Sequence, residues 1–241
     1  MRNRTTEERD ELEMRRKARL RRQKKQRKLK RKRQMLAVLF VFLLAAVIGG
    51  LLWLLTSIFN RRYIDLSAIE APSWVQQDFF DRNPYSRPGT KMAKVNEIVI
   101  HYVANPGTTA KNNWNYFNNL KDQKEESGSK NISASSHFII GLDGEILQGI
   151  PIDEIAYATS KEKNMNTVSI ECCHPDETGK FTEETYDSLV ELTAWLCHSL
   201  DLTSKDVIRH YDATGKDCPR YFVAHEDEWK QFKKDVKKAL K

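Results

Sequence analysis

The chain has 241 residues, with 40 Lys or Arg against 33 Asp or Glu and a net charge of +7. Seventeen of those basic residues, with only 5 acidic ones, fall in residues 1–33, which leaves 23 basic against 28 acidic residues in the remainder. The basicity belongs to the tail, so it gives no ground for expecting the folded part to bind nucleic acid, and no nucleic-acid partner is expected.

Residues 1–33 are expected to be a basic cytoplasmic tail. The acidic-to-basic spacings Glu11 to Arg15 and Glu13 to Lys17 favour helix in part of it, and it contains no aromatic residue to stack on a base. Residues 34–59 follow as a transmembrane helix. No charge occurs between Arg33 and Arg61, and Met35 to Leu55 is apolar apart from two glycines, where about 20 apolar residues are enough to cross a bilayer. A cleaved signal peptide would have a shorter apolar core, of about 7–15 residues, and a small-residue cleavage site. The basic excess then places the N-terminus in the cytoplasm and everything after Asn60 outside, as a single-pass anchor whose Lys and Arg also rest on anionic lipid headgroups.

Residues 60–90 read as an extended arm or linker: Tyr63 to Thr90 holds three prolines and aromatics without a period, ending in the turn-prone RPGT. The folded domain is expected over residues 91–241, long enough for one core. Glu97 to Val103 reads as a strand, Asn112 to Leu120 as a short helix, and residues 121–131 as a polar loop. His137 to Ile140 and Glu145 to Gly149 flank Leu142-Asp143-Gly144, a hairpin signal. Thr167 to Cys173 alternates, with Val168, Ile170 and Cys172 on one face and Ser169, Glu171 and Cys173 on the other. Glu183 to Leu200, capped by Thr182, is amphipathic, and a last helix holds Trp229, Phe232, Val236 and Leu240 on one side. Strands interspersed with helices predict an α/β domain with a mixed central sheet flanked by helices.

Cysteine usage does not point to a disulfide scaffold. Cys172 and Cys173 are adjacent, Cys197 lies on the apolar side of a helix, and a domain of this size needs no staples. Cys218 has another use. The stretch RHYDATGKDCPR, residues 209–220, places His210 and Cys218 within one short loop. Zinc takes imidazole nitrogen and thiolate sulfur together, and a catalytic zinc takes three protein ligands and leaves a position open. The third candidate is His101, which closes the apolar run EIVI and would be delivered at a strand end.

These residues lie in blocks that resemble the zinc-dependent N-acetylmuramoyl-L-alanine amidases of the type-2 amidase superfamily, which also includes the peptidoglycan recognition proteins. The likeness covers roughly residues 83–241 and rests on RPGTK, IVIHYVANPG, ASSHFIIGLDGEILQGIP, VSIECC, TGKFTEETYDSLVELTAWLC and RHYDATGKDCPR, in that order. The resemblance implies the type-2 amidase fold, one Zn2+ per domain held by His101, His210 and Cys218, a catalytic Glu171 and an active-site Lys216. His137 is carried as a substrate-groove residue, with quiet packing beside the site as its alternative. Two departures stand out. Ser136 occupies the place where some members have a tyrosine, and AYATS puts Tyr157 and Ala158 where many have a tryptophan-histidine pair that helps bind substrate.

The implied reaction is hydrolysis of the amide between the lactyl group of N-acetylmuramic acid and the L-alanine of the stem peptide, with peptidoglycan as partner and the domain facing the cell wall. Glu171 would act as general base and then acid, and Lys216 would face the developing oxyanion. A non-catalytic peptidoglycan-binding module is the alternative. Such binders commonly lose the cysteine ligand, whereas Cys218, Glu171 and Lys216 are present together here.

Overall fold

The computed structural model describes residues 6–59, 64–124 and 130–240. Residues 1–5 of the expected tail, 60–63 of the expected arm, 125–129 of the expected polar loop, and Lys241 lie outside it. The chain divides into two units, Met1–Arg61 and Arg62–Lys241.

The first unit is a single helix, α1 (Thr6–Phe59), in which the expected tail and the expected span run together without a break. No proline occurs before Pro72, and the tail is rich in Arg, Lys, Leu, Glu and Gln, all good helix formers. From Met35 to Leu54 apolar side chains occur on every side of the helix and are exposed. The helix holds a stretch long and apolar enough to cross a membrane by length and composition.

The second unit is built on one six-stranded mixed sheet. Its elements in chain order are β1 (Val75–Gln77), β2 (Glu97–Tyr102), α2 (Ala110–Asn119), β3 (Phe138–Ile140), β4 (Ile146–Gln148), α3 (Lys161–Asn164), β5 (Thr167–Cys172), α4 (Glu183–Ser199), β6 (Val207–Arg209), α5 (His210–Thr214), α6 (Arg220–Ala224) and α7 (Glu226–Ala239). The strand order is β1-β4-β3-β5-β2-β6. Only β3 and β4, joined by the expected hairpin, pair antiparallel; the other neighbours are parallel. The mixed sheet flanked by helices is the architecture expected from the sequence.

Strand alternation sorts the core into two layers. Ile98, Ile100 and Tyr102 of β2 and Val168, Ile170 and Cys172 of β5 meet Leu189, Leu192 and Leu196 of α4 and Trp229, Phe232 and Val236 of α7. Each fully buried Leu on α4 contributes about 2 kcal/mol. The Thr182 hydroxyl accepts from the Thr185 N–H at 3.0 Å and fixes where that helix starts. On the opposite face Ile139, Leu147 and Cys173 pack with Phe117 and Leu120 near α2. That helix begins two residues earlier than its apolar pattern suggests, because Thr109 and Asn112 form a reciprocal cap. All four cysteines are buried free thiols.

Residues 64–90 do more than link. Val75 to Gln77 add β1 to the sheet edge, and Phe80 is fully buried in the second core layer. Phe80 fits because Gly149 has no side chain: a Cβ there would stand 2.3 Å from the ring. Arg82, Arg87 and Lys91 converge on the Glu154 carboxylate, which is 1% exposed. A strand of three residues and a single anchoring aromatic leave no periodicity, which is why this segment reads as extended.

Candidate active site

Residues His101 and Glu171 are partners in the β2–β5 register and project on the same face. They occupy the C-terminal ends of two central parallel strands, where an open α/β sheet presents its crevice. The segment expected as a single loop is instead structured. Arg209 ends β6, His210 is the first residue of α5, and Cys218 lies just before α6.

Local forces hold this segment. The Asp212 carboxylate accepts from the Arg209 amide at 2.9 Å and from its guanidinium, which also reaches the Phe222 carbonyl at 2.9 Å and Glu226 at 2.7 Å. His210 is thereby bracketed between two anchored residues. Gly215 ends α5 at φ +80, the left-handed region that favours glycine, so the chain reverses there. The Tyr211 N–H then donates to the Cys218 carbonyl at 2.9 Å, which brings the thiol back beneath His210. The Arg209–Asp212 pair is a contributor the sequence reading did not single out; its i,i+3 spacing at a helix start was the available signal.

Three of the sequence candidates meet. His210 Nδ1 is 3.1 Å and Cys218 Sγ 3.8 Å from His101 Nδ1. The ligand atoms of the three all lie within 4.8 Å of one another, and all three residues are buried. Tetrahedral zinc with N and S ligands sets its donors about 3.3–3.6 Å apart, so the spacing fits the ion. The donor chemistry fits as well. Burial, then the neighbouring His210 and Lys216, hold the His101 imidazole well below its usual range. Burial and Lys216 lower His210 to about 4. Both rings are neutral at physiological pH, as ligands must be. Burial pushes the Cys218 thiol up to about 12, with the Tyr102 amide and Lys216 opposing. A divalent cation at this point reverses that last preference, since a coordinating thiol deprotonates outright.

Beside this cluster the Glu171 carboxylate lies 3.9 Å from His101 Nδ1, with its side chain 16% exposed. Burial raises its pKa to about 8, and the Lys216 charge opposes the rise. Its second oxygen is buried without a hydrogen-bond partner. Lys216 is exposed on the turn between α5 and α6. Its ammonium is the positive charge felt by His101, His210, Glu171 and Cys218 together.

His137 does not join them, and its reading as a substrate-groove residue is corrected. The side chain is fully buried. The Ser169 N–H donates to Nδ1 at 3.1 Å, and Nε2 lies 2.9 Å from the Glu154 carbonyl. No ring atom remains for a ligand. Tyr157 lines a cavity of about 400 Å³ with Thr90, Ile155 and Asn164, near the N-terminal end of β5 rather than the end that carries Glu171. Among the described residues His174, His198 and His225 belong to no metal-holding group.

A family profile described as N-acetylmuramoyl-L-alanine amidase matches residues 91–221, more than half of the chain. The chain is similar to N-acetylmuramoyl-L-alanine amidase CwlL of Bacillus licheniformis, 33% identical over 177 residues that cover 69% of this chain and 47% of that protein. It is also similar to N-acetylmuramoyl-L-alanine amidase BlyA of Bacillus subtilis (strain 168), 30% identical over 178 residues, 66% of this chain and 45% of that one. The chain thus spans about half the length of the curated relatives it matches. The solved catalytic domain of XlyA superposes with a TM-score of 0.56 at 26% identity, covering 67% of this chain and 98% of that domain. With a mixed sheet that matches this fold and a matched region that holds His101, Glu171, His210 and Cys218, the chain belongs to the N-acetylmuramoyl-L-alanine amidase family.

Proposed function

We propose that this chain is a membrane-anchored, zinc-dependent N-acetylmuramoyl-L-alanine amidase. It hydrolyses the amide between the lactyl group of N-acetylmuramic acid and the L-alanine of peptidoglycan stem peptides. The observation that carries the reading is the convergence of His101, His210 and Cys218 around one point, with the Glu171 carboxylate 3.9 Å from His101.

His101, His210 and Cys218 would hold the zinc, which supplies Lewis acidity that polarises the amide carbonyl and acidifies water. Glu171 takes a proton from the attacking water and returns it to the departing amine. Burial alone favours the protonated carboxyl in the metal-free chain; the Lys216 charge and a divalent cation beside it would favour the carboxylate that accepts the proton from water, and the buried setting favours its return to the amine. Lys216 brings a fixed positive charge to the same space and stabilises the negative charge that develops on the amide oxygen. Burial of the His101 and His210 rings keeps them unprotonated, so they donate lone pairs rather than compete for the proton that Glu171 carries.

The N-terminal helix anchors the domain. Its apolar stretch supports a single membrane span. The basic residues before it hold the N-terminus in the cytoplasm and rest on anionic headgroups, and the domain faces the cell wall.

The test uses the full chain in detergent with purified muropeptides, scoring by mass spectrometry the free stem peptide with a new L-alanine amino terminus. Release that stops with chelator and in Glu171→Ala is expected. Tight binding without release, in a chain shown to contain zinc, sinks the enzyme reading in favour of a recognition module.

A further inference from the structure

Ser169 stands two residues before Glu171 on β5 and faces the same side of the sheet. The β3–β5 ladder begins one position later, at Phe138 and Ile170, so the Ser169 amide has no ladder partner on β3. A side chain takes that place. The Ser169 N–H donates to His137 Nδ1 at 3.1 Å, and the Ser169 hydroxyl lies 3.0 Å from the same nitrogen. The neighbouring Ser136 hydroxyl donates to the Ser169 carbonyl at 3.0 Å and lies 3.2 Å from the Ser169 hydroxyl.

These contacts determine the tautomer. A ring nitrogen that accepts from an amide carries no proton, so neutral His137 keeps its proton on Nε2 and donates it to the Glu154 carbonyl at 2.9 Å. The ring is fully buried, and burial lowers its pKa to about 4, which keeps it in this neutral form. Glu154 is itself immobilised, because its carboxylate is bound by Arg82, Arg87 and Lys91. A continuous set of hydrogen bonds therefore runs from residues 82–91 through Glu154 and His137 to the strand that carries Glu171.

We propose that His137 is a positioning residue for the hydrolytic reaction: it clamps Ser169 to Glu154 and so fixes where the Glu171 carboxylate stands relative to His101. The inference rests on the amidase reading above. Its physical basis is that a misplacement of about 1 Å at a reacting group costs on the order of 100-fold in rate; His137 holds the N–H and the hydroxyl of Ser169, and Ser136 adds only bonds to its carbonyl and hydroxyl.

The experiment compares the zinc-loaded full chain with His137→Gln and His137→Leu. A glutamine amide can accept from the Ser169 N–H and donate to the Glu154 carbonyl, whereas leucine can do neither. In the Leu variant kcat falls at least about tenfold with KM within about twofold, zinc stays at one per chain, and the Ser169 amide exchanges with solvent faster by NMR. The Gln variant recovers most of kcat and the amide protection. A folded, zinc-loaded Leu variant with unchanged kcat overturns the inference, as does equal loss in Leu and Gln that tracks only the folded fraction. Should the Leu variant not fold, His137→Asn takes its place, since its shorter amide cannot span both partners; wild-type kcat there overturns the inference equally. A wild-type chain that releases no stem peptide sinks the amidase reading and this inference with it, whereas equal kcat in wild type and variants sinks this inference alone.

Discussion

His101 Nδ1 stands 3.1 Å from His210 Nδ1, although the two residues are 109 positions apart in the chain. With the Cys218 thiol 3.8 Å from the same His101 nitrogen, one donor atom from each of the three residues lies within reach of a single ion. A zinc ion held there would stabilise the fold by mass action, by about 4 kcal/mol at a thousandfold excess over its Kd.

Cys218→Ser and His210→Ala are therefore expected to reduce zinc from one per chain to near zero and to abolish peptide release. Chelation of the wild type lowers its thermal midpoint toward that of the variants. Elemental analysis paired with calorimetry checks both; a Cys218→Ser chain that retains stoichiometric zinc contradicts the ligand assignment.

Glu171 makes the metal-free protein sensitive to alkali. Burial raises its pKa from 4.5 to about 8 in the folded state. Between those two values the unfolded chain has lost the proton and the folded chain retains it, so stability falls as pH rises through this window. The full effect is about 5 kcal/mol. In Glu171→Gln this loss disappears, and the chelated variant is more stable than the chelated wild type at pH 8. Urea unfolding at pH 5 and pH 8 measures the difference; an equal slope in both proteins contradicts a buried, protonated Glu171.

Lys216 is exposed, so its removal should separate rate from stability. Lys216→Met is expected to lower kcat about 100-fold while changing unfolding free energy by less than about 0.5 kcal/mol. A Lys216→Met chain with wild-type kcat shows that this charge does not act on the developing oxyanion.

The buried Glu154 carboxylate gathers Arg82, Arg87 and Lys91, with Arg87 the partner itself largely covered at 14% exposure. Glu154→Ala leaves that guanidinium without its counter-charge and is expected to cost about 3 kcal/mol. The same argument predicts that a chain cut to begin at residue 92 is less stable than one beginning at residue 62. It loses β1, Phe80 and all three cations together. Thermal unfolding of the two chains decides this, and equal midpoints return residues 64–91 to the status of a linker.

Much of the domain was legible because its signals are local. Thr182 and the leucines of α4, the alternation in β5, and the Leu142-Asp143-Gly144 turn each specify an element from a few neighbouring residues, and each stands where the sequence places it. The imidazole and thiol types in RHYDATGKDCPR likewise mark candidate ligands before any fold is known, and the fold brings them together with His101. What the local pattern does not carry is which distant groups are satisfied by one another. Phe80 reads as one aromatic among several until Gly149 opens space for it. Strand β6 is three residues long and has no period to detect. His137, read as a groove residue, is withdrawn from any ligand because Ser169 and Glu154 take both its nitrogens. Residue type and spacing determined which side chains are candidates for the site; sheet register and burial decided which of them come together there, because hydrogen-bond satisfaction and desolvation depend on neighbours that only the folded chain assembles.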